Sequence, residues 1–145
     1  MAENESSSPP PIQPRPPTAS APTPPNPESQ ARTWNMWCHL SILALFIIPF
    51  GNLLGPFLVW QIKKAEIPSV EAHAKAALNF QLTVLIVALI GFAAAVILSF
   101  FCIGHLLFPV VGLVMLCGII FPIIAGVKAN DGVDFKYPYS IDFLK

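Results

Sequence analysis

The chain has 145 residues, of which 54% are hydrophobic and only 11% charged, and its formal net charge is zero. A soluble domain carries about 25% charged residues, so this composition excludes a conventional water-facing surface and indicates a membrane protein. Without a basic excess or stripe to neutralise phosphates, no nucleic-acid partner is expected.

Residues 1–31 hold many of the 16 prolines, among Ser, Thr, Asn and Gln, with Ile12 the one large aliphatic beyond Met1. A segment with so little to bury is predicted to be a disordered, polyproline-biased tail. Its P-x-x-P spacings, Pro11 to Pro14 and Pro14 to Pro17, read more simply as spacer than as ligand for an aromatic groove. Residues 32–145 then form the membrane domain. No acidic or basic side chain lies between Arg32 and Lys63, or between Lys75 and Lys128, which leaves room for whole helices without a charged face.

A first helix is predicted over about 33–48, marked by Trp34 and Trp37 on one face at headgroup level. The stretch "FIIPFGNLLGPFLVW" interrupts it. As one kinked helix, residues 34–62 would cross the bilayer at a length of roughly 43 Å. As a hairpin turning at Pro49 to Asn52, they make two short helices that return to the side they left. Pro49 disfavours helix at Ile48, "PFGN" is turn chemistry, and Pro56 suits the first turn of a new helix. These favour the hairpin, although each arm is short for a full span. The second helix then covers about 53–64 and ends at Trp60, Lys63 and Lys64.

The third helix is predicted over 69–102. Pro68 stops the chain, Ser69 is a candidate N-cap, and Glu71 with Lys75 forms an i, i+4 pair. Such a helix exceeds the hydrocarbon thickness of about 30 Å, so its first turns project His73 and Lys75 out of the membrane. The fourth is predicted over about 106–129, where Pro122 lacks the N–H that the Gly118 carbonyl would accept. Residues 130–145 read as an interfacial tail, mostly extended with a single helical turn. Lysines precede the third helix and follow the fourth, while the intervening "CIGH" has none, so both termini are expected on the cytoplasmic side of the cell membrane.

Few residues suggest chemistry. Asn79 and Gln81 lie just inside the third helix, where an amide needs a partner; Asn79 reads as a strut between helices rather than a ligand site. His39, His73 and His105 lack metal-ligand spacing, and His73 beside Glu71 is most simply an interfacial polar residue, with pH sensing the sharper reading. Cys38, Cys102 and Cys117 read as small buried hydrophobes. No nucleophile with a base, phosphate loop or intramembrane carboxylate pair is present, so no enzyme, metal or cofactor is expected. Gly51-x-x-x-Gly55, Gly91-x-x-x-Ala95 and Ala125-x-x-x-Ala129 allow close helix approach, within the molecule or between copies.

The stretches "WCHLSILALFIIPFGNLLGPFLVWQIKK", "HAKAALNFQ" and "VKANDGVDFKYPYSIDFL" together resemble a small bacterial membrane domain of the Tic-twenty-like family, called after a chloroplast inner-envelope import component. The resemblance implies an all-α integral membrane bundle of four helices, a short hairpin followed by two long spans, with both termini on one side. It places Pro49, Gly51, Asn52, Gly55 and Pro56 on the family's break motif. His73, Lys75, Asn79, Phe80 and Gln81 fall on its helix-start motif, and Tyr137 with Pro138 on its closing motif. The reading is a non-enzymatic scaffold or assembly component in the lipid bilayer, partnered by another membrane protein or by a second copy. The alternative is a small channel or protein-translocation component.

Overall fold

The computed structural model describes residues 26–145, and the greater share of the predicted proline-rich tail lies outside them. Those residues are helical and contain no strand. Helix α1 (Pro27–Leu40) continues as a 3-10 stretch (Ser41–Phe46), and α2 (Gly51–Lys63) and α3 (Ser69–Ser99) follow. A 3-10 turn (Gly104–Leu106) then leads into α4 (Leu107–Asn130). The expected four-helix bundle, with two short helices before two long apolar ones, is the observed architecture.

The first helix begins well before Thr33, inside the stretch read as tail. Asn26 is its N-cap, its side-chain oxygen accepting from the Glu28 N–H at 3.2 Å. Pro27 stands at the first helical position and Glu28 in the first turn, where a missing donor and a negative charge both suit a helix start. Glu28 also pairs with Arg32 one turn on. These residues are a capping signal that bulk composition hides.

The chain reverses between Ile47 and Phe50. The amides of Ile47 and Ile48 both reach the Ala44 carbonyl, and Phe50 adopts a left-handed backbone with φ of 61°. Pro49 lies in this reversal, but Gly51 and Asn52 already belong to α2, so the turn ends earlier than expected and Pro56 sits inside a helix rather than in its first turn. The two glycines serve the contact between the arms. A Cβ at Gly51 would stand 2.3 Å from the Ala44 backbone, and one at Gly55 would stand 2.2 Å from the Ser41 carbonyl oxygen.

Helix α1 packs against each of the other helices, whereas α2 reaches α3 but not α4. The deep ends of the hairpin arms, Leu45 and Asn52, lie beside Gln81, Val84 and Leu85 of α3 and Met115 and Gly118 of α4. Counted along α3 at 1.5 Å per residue, that level is roughly half the length of the helix. Beyond it α3 and α4 pair with each other alone. Both are long and apolar enough to cross a membrane, with only 22% of the most hydropathic window of each buried. A soluble core helix hides its apolar surface. Here Ile90, Phe92, Ile97, Val110 and Leu113 remain more than half exposed, as contact with lipid requires.

Candidate functional site

At the end of the bundle formed by α1, the start of α3 and the chain after α4, polar side chains converge. Asn35, Cys38, His39 and Ile42 are buried on α1 and its extension, a spacing that forms one helical stripe. That stripe faces α3, where the Cys38 thiol approaches the Val70 carbonyl at 3.7 Å. It also carries His39, only 1% exposed, into contact with two partners distant in sequence.

The Nδ1 atom of His39 lies 2.8 Å from the Tyr137 hydroxyl, and its Nε2 lies 3.0 Å from Nδ1 of His73. His73 Nε2 in turn faces the Asp134 carboxylate at 3.4 Å. An ionised carboxylate only accepts, so a neutral His73 carries its hydrogen on Nε2 and accepts on Nδ1. His39 must then donate from Nε2 and accept on Nδ1, and Tyr137 must donate to it. The four groups form one directional chain from a buried phenol to an exposed acid. Burial, followed by the neighbouring His73, pushes the His39 imidazole down to about 3, and burial holds the Tyr137 phenol well above its ordinary value. His39 belongs to α1, outside the two long apolar helices.

Tyr137 is held by aromatic packing as well. Its ring stacks on Phe80 with centroids 4.4 Å apart and planes at 17°, and Phe135 meets it edge-on at 5.2 Å. Beyond Tyr137 the chain contains no helical turn; it lies as a strap along α3. Oδ1 of Asn79 accepts from the amides of Phe143 (3.1 Å) and Leu144 (2.8 Å), and its Nδ2 donates to the Leu144 carbonyl. Thr83 accepts from the Ile141 amide at 3.0 Å, and Lys75 donates to the Lys145 carbonyl at 2.8 Å. Asn79 therefore ties down the strap rather than a second helix.

Gln81 is the strut between elements. Its Oε1 accepts from Asn52 of α2 at 3.2 Å, and its Nε2 donates to the Gly118 carbonyl of α4 at 2.8 Å. That carbonyl is the one Pro122 leaves without an intrahelical donor, so the defect in α4 is repaired from α3. Buried Gly118 allows the approach, for a Cβ there would meet Val84 at 2.8 Å.

The residues singled out by sequence thus divide into groups. His73, Phe80 and Tyr137 come together around His39, and Lys75 and Asn79 hold the strap. Gly51, Asn52, Gly55, Pro56 and Gln81 lock the hairpin, while Pro49 stands exposed at its tip and Pro138 half-buried in the strap. Sequence reasoning missed His39, Asp134 and Thr83 as members of this site. His39 meets His73 across 34 positions and Tyr137 across 98, a separation that no local spacing reveals. Between α3 and the strap lies a cavity of about 350 Å³ lined by His73, Ala76, Asp134, Lys136, Tyr137 and Asp142. Among the described residues no three His, Cys, Asp or Glu side chains are arranged to hold a metal ion.

No curated protein and no solved structure matches the chain. The sequence profile of the magnetosome magnetite crystal formation protein family (MamF/MmsF) matches residues 30–144, and this overturns the resemblance to the Tic-twenty-like family. The stretches behind that resemblance meet structural needs: close-packed glycines in a hairpin, amides that satisfy backbone groups, and an aromatic closing segment. Such needs recur wherever small apolar helices pack, so they do not identify a family. The match runs from α1 through the hairpin and both long helices to the end of the strap, and the chain is a member of the magnetosome magnetite crystal formation protein family.

Proposed function

We propose that the chain is a non-enzymatic, multi-pass component of the magnetosome membrane that takes part in magnetite crystal formation as an assembly component. The observation carrying this reading is the extent of the family match, residues 30–144, which makes the shared function a property of the whole framework. Lipid surrounds the exposed halves of α3 and α4, and the end bearing the strap meets partner proteins from one aqueous side. Lys63, Lys64, Lys75, Lys128 and Lys136 gather towards that end, which favours the cytoplasm for it and for both termini. Asn79 and Gln81, the amides that motivated a translocation path, are bonded within the molecule, and this favours the assembly reading. The small residues Gly51, Gly55, Ala95, Ala125 and Ala129 are buried inside the bundle, which supports intramolecular packing as their role.

Graded expression in magnetite-forming cells that lack the endogenous protein tests the proposal. An assembly component acts by stoichiometry, so crystal dimensions measured by electron microscopy should follow the amount of protein while magnetosome vesicles persist. Crystals of unchanged number, size and shape in cells without the protein would refute it.

A further inference from the structure

We propose that the segment from Asp134 to Lys145 is an acid-released latch, opened when the His39–His73 pair takes up a proton and reverses the hydrogen-bond chain that ends at Tyr137. In the neutral pair every ring nitrogen has a matched partner, with donation running from Tyr137 to His39, to His73 and to Asp134. A proton added to Nδ1 of His73 turns that atom into a donor facing another donor, so His39 must move its own hydrogen to Nδ1. Nδ1–H then points at the Tyr137 oxygen, and the phenolic hydrogen is driven off its acceptor. The rings of Phe80 and Phe135 pack around it and provide no oxygen or nitrogen to replace the lost partner. A buried hydroxyl without an acceptor is costly, whereas the gain, an ion pair between His73 and the 98% exposed side chain of Asp134, is screened by water. A second proton would set two N–H groups against each other at 3.0 Å and break the contact outright.

The surroundings give the protons no better place. On α1 the neighbour is the Cys38 thiol, and on α3 Glu71 is paired with Lys75. On the strap side stand Asp134, Lys136 and Asp142 at the cavity. On α4 Lys128 lies over the Phe135 ring at 5.3 Å, and on α2 Lys63 and Lys64 lie over Trp34 and Trp60. Because burial holds His39 down to about 3, His73 is the first of the pair to charge. Opening the strap would separate the two walls of the cavity and expose the face of α3 between Ala72 and Thr83.

Amide hydrogen exchange of the full chain in detergent micelles reads this directly. The amides of Ile141, Phe143 and Leu144, bonded to Thr83 and Asn79, report strap opening once corrected for intrinsic rates. If one proton is taken up on opening, their opening constant should rise by up to about tenfold per pH unit on acidification, while the amides of α3 hold. The folded His73→Gln variant should lose that dependence. An opening constant that is flat between pH 8 and 5, or a slope that survives in His73→Gln, overturns the latch. Should that variant fail to fold, imidazole ¹⁵N shifts of the unaltered chain decide. Both rings should start as the Nε2–H tautomer and His73 should charge as the strap opens; a His73 that stays neutral through the opening rules the mechanism out.

Discussion

Gly55 and Gly112 are the same residue in two helices of one bundle, and their surroundings assign them opposite sensitivities. A Cβ at Gly55 would fall 2.2 Å from the Ser41 carbonyl oxygen, whereas one at Gly112 would meet nothing within 4 Å. Gly55→Ala should therefore destabilise the protein by about 1–3 kcal/mol through overpacking. Gly112→Ala should be neutral or stabilise it by up to about 1 kcal/mol through helix propensity. Unfolding by a denaturing detergent, followed by tryptophan fluorescence, compares the two. Gln81→Leu should be destabilising by about 1–3 kcal/mol in the same assay, since it strips partners from the Asn52 amide and the Gly118 carbonyl. His39 adds a pH dependence with a defined sign. Its folded value of about 3 lies below the ordinary 6.5, so the unfolded chain binds the proton more readily. Its contribution is complete above pH 6.5 and declines as pH falls towards 3, and His39→Gln should flatten that region of the stability profile.

At the scale of elements, α1 shows how a local signal was outweighed by composition. Asn26, Pro27 and Glu28 form a helix start, yet they lie among prolines and small polar residues that suggest tail. Asn26→Ala should cost about 1 kcal/mol of local stability and speed amide exchange in the first turn of α1, while the strap amides keep their protection. The hairpin shows the converse. Its existence could be read from Pro49 and the apolar arms, but the role of its glycines could not, because Gly51 and Gly55 look like turn residues until the arms are seen to touch. Gln81 illustrates the same limit: Pro122 announced an unpaired carbonyl at Gly118, and nothing local indicated that α3 would supply the donor.

For the whole molecule, the half-length hairpin makes the bundle asymmetric. One end has all four helices and the strap; the other has α3, α4 and the turn between them. Single cysteines in a background lacking the native ones measure this arrangement in sealed vesicles. Ser29→Cys and Ser140→Cys should react with an impermeant maleimide from the same side, and Cys102, retained alone, from the opposite side. Ile48→Cys at the hairpin tip should react from neither, being at the depth of the bilayer interior. Its labelling from the Cys102 side would show that the hairpin crosses fully.

The sequence by itself determined the solvent and the outline of this protein. Charge-free apolar runs must leave water, proline and tryptophan mark where they break and surface, and these local effects act without knowledge of the partner. Only the tertiary structure decided how the elements are joined. It seats the hairpin at half depth, assigns Gln81 to Gly118 and Asn79 to the strap, and connects His39 with His73, Tyr137 and Asp134. Those choices depend on contacts between residues far apart in the chain, where a hydrogen bond satisfies two groups whose spacing in sequence carries no trace of their meeting.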